Sequence, residues 1–399
     1  MIKRILFLLL LALIITIFAI VILREPGFAV FSWGDTTVEI PLVKFYFAVI
    51  ALFIALYILF RFLGYIFRLP GHLHSKRQHK KQLEIMQGIE SSILDASQFN
   101  WESAMRNSAT HVKHSPIKRA QQILAARFAN NAGNIQAREK HLAKLRKLED
   151  GNALANSFEA EFALEDNNPD RALSLLRDQS EENIYNLNSL ARAYIETKNI
   201  EGVERVLPNL HLHAGKTKRI KQTVLASLNW VINYYDENAQ AERLADLWKT
   251  YSRHIQTNTP LLRQYVHALS KNRQDELAEQ IITTQFKDHW DEQLIREYGV
   301  LAMDNVEKRI KQAESWLSKH KESAGLLLTL GRLYKHEKLW GKAKSYLESS
   351  LSRKPLAETY AELADLHEFL DEPTEAQKCA KKGLHIATRD QAIKTKRTF

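Results

Sequence analysis

The eight residues LLTLGRLY, at positions 327–334, decide the fold of this chain of 399 residues. Leucine, glycine and tyrosine side chains recur within them at intervals of three or four, as on the buried face of an α-helix. A second segment with helical spacing follows at 343–347, and Pro355 then interrupts it. The glycine and alanine allow two helices to approach closely, and the larger side chains fill the space between helices. The sequence therefore predicts a pair of packed helices.

This helix pair is repeated immediately afterwards in the chain. Tyr360 and Ala376 stand at the same distance, 33 positions, after Leu327 and Ala343. The spacing fits the tetratricopeptide pattern, in which each repeat is two helices that stack on their neighbours. The clearest repeats are predicted at 324–356 and 357–389. Their predicted packing residues are Leu327, Leu330, Gly331, Tyr334, Ala343, Leu347, Tyr360, Leu363, Ala364 and Ala376.

Fainter units earlier in the chain keep the same step. Leu190 follows Leu124 at twice the distance that separates Tyr360 from Leu327. Between 205 and 300 only degenerate units are visible, so the sequence leaves the number of repeats there open. Apolar residues with helical spacing predict a repeat domain over 83–390, followed by a basic tail at 391–399.

Two apolar segments, uncharged over 5–23 and 45–60, predict membrane-spanning helices at about 5–23 and 43–63. A cleaved signal peptide is the alternative for the first segment, but no small-residue cleavage site follows it. Between the segments, Gly34-Asp35 separates two β-rich stretches and predicts a tight hairpin. Phe31 and Trp33 are expected to anchor this loop at the membrane interface.

The distribution of charge predicts the orientation of the two spans. Residues 1–81 carry ten basic and three acidic side chains, which accounts for +7 of the total charge of +10. The loop at 24–41 is mainly acidic, whereas 61–81 contains no acid, so both termini are expected to be cytoplasmic and the loop periplasmic. Residues 68–82 form a predicted basic juxtamembrane linker attracted to anionic lipid head groups. The predicted membrane-surface residues are Arg61, Arg68, Lys76, Arg77, Lys80 and Lys81.

The fold class is therefore all-α, with a two-helix N-terminal transmembrane hairpin followed by a tetratricopeptide-type α-solenoid. A single cysteine, Cys379, excludes an intrachain disulfide and multi-cysteine zinc sites. No glycines have the spacing of a dinucleotide-binding or phosphate-binding loop, and HExxH is absent. We predict no enzyme activity, no catalytic or metal-binding residue and no cofactor. The repeat domain carries only +3, so nucleic-acid binding is not expected.

An α-solenoid of this kind offers an extended surface to other proteins. Helical phase places six side chains from the first helices of the two clearest repeats in a predicted protein-binding groove. They are Leu328, Arg332, Lys335, Ala361, Asp365 and Glu368. Their mixed charge differs from the basic clamp that binds a peptide carboxylate in chaperone-binding members of the tetratricopeptide class.

Several segments outside the repeats resemble one family. The loop from Glu25 to Ile40 after a first span, the stretch from Arg68 to Leu73, and the pairs Gln87-Gly88 and Asn100-Trp101 are similar to the HemY family of proteobacterial haem biosynthesis operons. The resemblance covers essentially the whole chain. It implies a bacterial inner-membrane protein associated with a late step of protohaem synthesis, with membrane-associated proteins such as late haem-biosynthesis enzymes as partners.

The resemblance also leaves alternatives open. An unrelated flavin-dependent protoporphyrinogen oxidase shares the family's name in other bacteria, but this chain lacks the glycine motif that a flavin enzyme needs. The leading hypothesis is a non-enzymatic scaffold. The alternatives are an envelope-assembly adaptor unrelated to haem, and a haem- or porphyrin-binding protein, for which no motif gives support.

Overall fold

A computed structural model describes residue 16 and residues 27–177, 183–302 and 305–397 of the chain. Side chains are described in these ranges except at 63–79, 114 and 390–397. The first predicted span, at 5–23, therefore lies outside the described residues apart from Thr16. The chain forms two compact units, Met1–Leu145 and Arg146–Phe399.

The first unit begins with a two-stranded antiparallel hairpin. Strand β1 (Phe28–Trp33) pairs with β2 (Thr36–Pro41) through the turn Gly34-Asp35. Gly34 has a φ of +64°, as at the first central position of a type II′ turn, where glycine is favoured. The hydroxyl of Thr36 donates to the carbonyl of Trp33 at 3.0 Å. The predicted two-residue hairpin is confirmed.

Helix α1 (Leu42–Ser97) follows the hairpin directly and has 56 residues. Its segment Leu42–Phe62 has a mean hydropathy of 2.5 and is the one candidate membrane span among the described residues, by length and composition. This segment coincides within a residue with the predicted second span at 43–63. The basic stretch 68–82 is α-helical and lies within α1.

The end of α1 packs against α2 (Trp101–Ser108). Ile85 and Ser92 of α1 are buried there. Gly88 faces the carbonyl of Asn107, and a Cβ at this glycine would lie 2.9 Å from that oxygen. The predicted repeat domain therefore includes the end of α1, which is the same helix that carries the apolar segment.

Beyond α2 and a short 3₁₀ helix (Val112–His114) the described chain is a series of eight helix pairs. The pairs are α3 (Lys118–Asn131) with α4 (Ile135–Arg146), α5 (Gly151–Glu165) with α6 (Pro169–Leu176), α7 (Ile184–Glu196) with α8 (Ile200–His211), α9 (Lys218–Glu237) with α10 (Ala241–Gln256), α11 (Thr259–Lys271) with α12 (Asp275–Gln285), α13 (Glu292–Tyr298) with α14 (Val306–Leu317), α15 (Ala324–His336) with α16 (Trp340–Arg353), and α17 (Ala357–Phe369) with α18 (Pro373–Arg397). The first helices of these pairs begin at nearly constant intervals along the sequence, except that the interval between the starts of α9 and α11 is longer. The chain is thus a helical repeat array of tetratricopeptide type, and most of the predicted basic tail is the end of α18.

The same turn connects the two helices of a pair at seven of these places. The second residue after the end of the first helix has a positive φ. The amide of the residue that follows it donates to the carbonyl five residues earlier in the chain, which is the Schellman motif. Gly133 occupies the left-handed position once, and non-glycine residues occupy it elsewhere. These positions are Gly133, Asn167, Lys198, Ala239, Arg273, Lys338 and Asp371. The turn satisfies the last carbonyls of the first helix and starts the second helix at a fixed angle.

The helix pairs of the second unit share one hydrophobic core, which runs from Ala160 to Leu366. Nine of the ten predicted packing residues are buried, and Tyr360 is half-buried. The ring of Tyr334 stacks on Tyr346 at 5.4 Å between centroids, and its hydroxyl donates to Glu314 at 2.6 Å. Burial and this hydrogen bond raise the pKa of Tyr334.

A tight contact between α15 and α16 generates a stability prediction. A Cβ at Gly331 would lie 2.6 Å from Cγ and Cδ2 of the fully buried Leu347. Gly331→Ala should therefore overpack the helix pair and lower the free energy of unfolding by about 1–3 kcal/mol. Gly341→Ala is the matched control on α16, because nothing lies within 4 Å of its Cβ position. Chemical unfolding followed by circular dichroism measures both variants, and equal stability would contradict this packing.

The buried His141 generates a pH prediction in the first unit. Its Nδ1 lies 2.9 Å from Oε1 of Gln122. Burial, and then the positive charges of Lys144 and Lys140, lower the pKa of His141 to about 4. The unfolded chain therefore takes up a proton between about pH 6.5 and pH 4 that the folded chain does not bind.

His141 should accordingly lower the free energy of unfolding as the pH falls from about 6.5 towards 4, and should have no such effect above pH 6.5. The part due to His141 is at most about 3 kcal/mol, at 1.36 kcal/mol for each pKa unit. His141→Gln removes the titrating group, so its unfolding free energy should depend less steeply on pH in this window. Urea titrations at pH 7 and pH 4.5 measure the difference, and identical slopes would contradict a neutral buried imidazole.

Candidate protein-binding surface

Charged side chains connect the first helices of neighbouring or next-but-one pairs in the second unit. Arg219 of α9 bonds to Glu161 of α5 at 2.5 Å, and Lys271 of α11 bonds to Asp236 of α9 at 3.0 Å. Further along, Arg296 of α13 reaches Glu358 of α17 at 3.0 Å, across the intervening pair. We call this series of contacts the first-helix ladder. Its members satisfy each other's charge within the chain.

The last step of the ladder is centred on Glu362 of α17. Nε of Arg332 donates to its carboxylate at 2.8 Å, and Nζ of Lys335 donates to the same carboxylate. Lys335 also pairs with Asp365 at 3.5 Å, and Arg332 donates a second hydrogen bond to the carbonyl of Arg296 at 3.2 Å. Two cations from α15 are thus held by α17 and by the end of α13.

The environment of Glu362 keeps this carboxylate ionised. Burial raises its pKa, but the hydrogen bond from Lys335 and the positive charge of Arg332 outweigh burial. The net result is a pKa of Glu362 below its ordinary value. Since only 19% of the Glu362 side chain and 11% of the Arg332 side chain are exposed, each ion depends on the other for its solvation.

Beside this network lies a pocket of about 530 Å³, which we call the end pocket. It is formed by α13, α15, α16 and α17, and it combines apolar and charged side chains. The residues that line it are Gly299, Val300, Arg332, Lys335, His336, Trp340, Glu362, Asp365, Leu366 and Phe369. The rings of Trp340 and Phe369 lie 4.3 Å apart between centroids and form its aromatic wall. Val300 and Phe369 are 50% and 65% exposed, so the pocket opens on an apolar surface.

The structure brings three of the predicted groove residues together in the end pocket: Arg332, Lys335 and Asp365. Glu368 is exposed on α17 but does not line the pocket, and Ala361 is also exposed. The predicted position of Leu328 in the groove is wrong. This side chain is fully buried in the core, because three consecutive leucines on α15 leave only part of the helix for solvent.

Sequence reasoning missed the residues that give the pocket its character. Glu362 lies one helical turn before Asp365, and the same phase argument applied to i−3 neighbours would have found it. Helical spacing assigns Trp340 to packing between helix pairs, and nothing in the sequence shows that Val300 and Phe369 lie beside it. That proximity comes from the stacking of three successive pairs, which no local pattern records.

The predicted membrane-surface residues are described only in part. Arg61 donates to the hydroxyl of Tyr57 at 3.3 Å on the exposed surface of α1. Lys80 lies 4.0 Å from Glu84, and Lys81 is exposed. The side chains of Arg68, Lys76 and Arg77 lie outside the described residues. Their attraction to anionic head groups stays a prediction.

One histidine contact was not visible in the sequence. His211 and His254, on α8 and α10, have ring centroids 6.0 Å apart. Burial, followed by the nearby His211 and the cations Arg253 and Lys221, lowers the pKa of His254. Within the described residues, no group of three or more potential metal ligands is present.

The family model and the relatives that match this sequence all carry the same name. Residues 27–133 match the family model described as the HemY protein N-terminus. The chain is 22% identical over 352 residues to the protein named Protein HemY of Escherichia coli K12, covering 86% of this chain and 88% of that relative. Relatives of the same name in Escherichia coli O157:H7 and Shigella flexneri match with the same identity and coverage.

Solved structures give weak likenesses. A structure of Naa15/Naa10 bound to HypK-THB aligns with a TM-score of 0.31 and 12% identity, covering 72% of this chain and 51% of that one. The APC/C hetero-tetramer Cut9-Hcn1 aligns with a TM-score of 0.27 and 12% identity, covering 74% of this chain and 64% of that one. These scores are too low for the likeness to bear on function.

The central carboxylate of the last ladder step generates a prediction. Glu362→Gln leaves Arg332 and Lys335 without their shared counter-charge in a largely buried position. We expect the free energy of unfolding to fall by about 2 kcal/mol, somewhat less than for a fully buried pair. Glu368→Gln, at an exposed position of the same helix, should change it by less than about 0.5 kcal/mol. Thermal unfolding of both variants measures the difference, and a neutral Glu362→Gln would contradict the structural role of the network.

Proposed function

We propose that this chain is a member of the HemY family and acts as a non-enzymatic scaffold of the inner membrane, associated with a late step of protohaem biosynthesis. The observation that carries the proposal is the end pocket, where exposed aromatic and aliphatic side chains lie beside ion pairs that are already satisfied. A surface of this kind gains free energy by covering apolar area. It therefore suits a protein partner.

The chemistry of the end pocket defines how a partner would bind. Trp340 and Phe369 provide the large, rigid contacts that dominate binding energy in many interfaces. The cations Arg332 and Lys335 are engaged by Glu362, so a carboxylate on the partner would have to displace that interaction. The proposed partner accordingly presents apolar side chains to the aromatic wall, with neutral polar groups towards the ion pairs.

The apolar segment of α1 supports a location in a bilayer. A segment of 21 residues spans roughly 32 Å, which matches the hydrocarbon core. The first predicted span and the charge distribution support a multi-pass arrangement with both termini in the cytoplasm. Arg61, at the end of the span, then lies at the cytoplasmic leaflet, where an anionic head group attracts it at about 1 kcal/mol. The basic residues of 68–81 reach the lipid only if α1 bends.

Tethering explains how a protein without its own chemistry can help a pathway. A partner bound to the array is confined to the layer of cytoplasm next to the membrane, which raises its effective concentration for membrane-bound enzymes. Poorly soluble tetrapyrrole intermediates then travel shorter distances. Late haem-biosynthesis enzymes are the proposed partners.

The test replaces exposed apolar residues of the end pocket in the chromosomal gene. Val300→Asp combined with Phe369→Ser should leave the fold intact, because both side chains are at least half exposed. We expect at least a tenfold loss of co-purified partner from crosslinked membranes, about 1.4 kcal/mol or more. Porphyrin precursors should accumulate as in a strain that lacks the gene.

Leu212→Ser is the matched control, because this leucine is 69% exposed and lies outside the end pocket. It should behave as the unmodified protein does. Normal porphyrin pools in the double variant, with partners retained, would contradict the proposed surface. Loss of envelope-assembly proteins with normal porphyrin pools would instead favour an adaptor unrelated to haem.

A second candidate function rests on the aromatic wall. Trp340 and Phe369 could stack on a planar ring, and His336 also lines the pocket of about 530 Å³. These features would suit a porphyrin. A Soret shift on addition of haem to the detergent-solubilised chain, abolished by Trp340→Ala together with His336→Ala, would favour binding of the ligand itself. Conversion of a tetrapyrrole by the purified chain would overturn the scaffold proposal.

A further inference from the structure

The cross-strand pairing of the hairpin sorts its residues onto two chemically different faces. Residues that are paired across an antiparallel ladder point to the same side, and successive residues point to opposite sides. One side carries Phe28, Val30, Ser32, Thr37 and Pro41 together with the acidic side chain of the strands, Glu39, which is paired with Val30. The other side, which we call the uncharged face, contains only apolar residues and one threonine. It consists of Ala29, Phe31, Trp33, Thr36, Val38 and Ile40.

The uncharged face is largely open to solvent. Trp33 is 91% exposed, and the paired residues Phe31 and Val38 are 51% and 54% exposed. A two-stranded ribbon has no second layer on which to bury such a face. An uncovered tryptophan, phenylalanine and valine on one side of a ribbon are costly in water, so this face is expected to have an occupant.

The contact between the hairpin and α1 shows where the face lies. The amide of Leu42 donates to the carbonyl of Gly27 at 2.8 Å, so the base of the hairpin is fixed to the first residue of the helix. The rings of Phe31 and Phe45 are 5.4 Å apart between centroids.

This ring contact excludes a hairpin that continues straight along the helix axis. Phe31 lies three residues from the base of β1, which corresponds to about 10 Å along the strand. Phe45 lies three residues into α1, about 4.5 Å along the helix axis and in the opposite direction from the base of the hairpin. In a straight arrangement their backbones would be roughly 15 Å apart. The hairpin must therefore lean towards the flank of α1, with Phe31 and its face directed at the first turns of the apolar segment Leu42–Phe62.

We propose that the uncharged face of the hairpin lies on the lipid bilayer, at the level where α1 enters it. The inference rests on the proposed membrane insertion of α1 and goes beyond it by adding a second lipid-binding element. Lipid is the occupant because the face is continuous with the apolar surface of the helix through Phe31 and Phe45. Tryptophan is also the side chain that favours the boundary between head groups and acyl chains.

The charge of the hairpin defines the kind of lipid contact. Phe28–Pro41 contains two acids, Asp35 and Glu39, and no basic residue. Anionic head groups would therefore repel it rather than attract it. The contact is apolar insertion at the interface, and it should occur on zwitterionic lipid.

Two adjacent threonines provide a matched pair for the test. Thr36 belongs to the uncharged face, and Thr37 belongs to the opposite face. Each is replaced by cysteine in a Cys379→Ser background, labelled with an environment-sensitive fluorophore, and reconstituted as the full chain in phosphatidylcholine vesicles. A lipid with a spin label near its head group should quench the Thr36→Cys label at least about threefold more than the Thr37→Cys label. Aqueous iodide should give the opposite order.

The other outcomes separate failure of this inference from failure of the anchor. A label at Leu52→Cys, in the middle of the apolar segment, reports insertion of α1. If that label is quenched by lipid while the two threonine labels are quenched equally, the lipid-facing hairpin is overturned and the anchor stands. If lipid quenches neither the two threonine labels nor the Leu52→Cys label, the proposed membrane insertion of α1 is itself overturned.

A second copy of the chain is the remaining occupant. It would give energy transfer between Thr36→Cys labels that rises with the ratio of protein to lipid, without lipid quenching at that position. That result overturns the lipid assignment. Energy transfer that is absent at low protein content, together with lipid quenching at Thr36→Cys, supports it.

Discussion

The structure depends on one constraint: a single pair of short helices cannot bury its own apolar face. Within the second unit each pair therefore packs on the next, and the nearly constant repeat step is the sequence length that returns the chain to an equivalent position. Two local features make the step reproducible. Small residues such as Gly331 and Ala343 allow close approach, and the Schellman turns fix how the second helix leaves the first. The core from Ala160 to Leu366 is the sum of these contacts.

The polar contacts then determine what the surface can bind. Carboxylates of the second unit lie between helices where they meet arginines, as Glu279 does with Arg309 at 2.9 Å. Such buried pairs contribute little net stability, since desolvation offsets attraction, but a mispaired register would leave charges unsatisfied. They therefore favour one stacking of the pairs. Because the cations of the first-helix ladder are paired within the chain, the charges near the end pocket stabilise the packing of the array, and the exposed apolar side chains are the part of this surface that the proposed partner would cover.

The sequence revealed what is local and concealed what arises from stacking. The packing residues around Leu330 and Leu347 could be predicted because helical spacing and small residues suffice to identify a helix pair. The repeats between 205 and 300 could not be predicted, because α9 and α10 are longer than the other helices from α3 to α17 and delay the start of the next pair. A search at a fixed period loses the repeat at that point. Helical phase places Arg332 and Lys335 together on one side of α15, but their pairing with Glu362 depends on the neighbouring helix, which the phase of α15 does not reveal.

The continuity of α1 changes how the proposed tether would work. From Phe62 to Ser97 the helix rises about 53 Å, and its last turns pack on α2 through Ile85 and Gly88. A flexible linker would let the first helices of the array explore the lipid surface, whereas a helix holds them at a distance from it. Pro70 interrupts the backbone hydrogen bonds of α1 and is the place where a bend is least costly. A spacer of this kind favours partners that themselves extend from the bilayer. For enzymes that lie flat on the lipid, effective concentration would rise only if α1 bends at that proline.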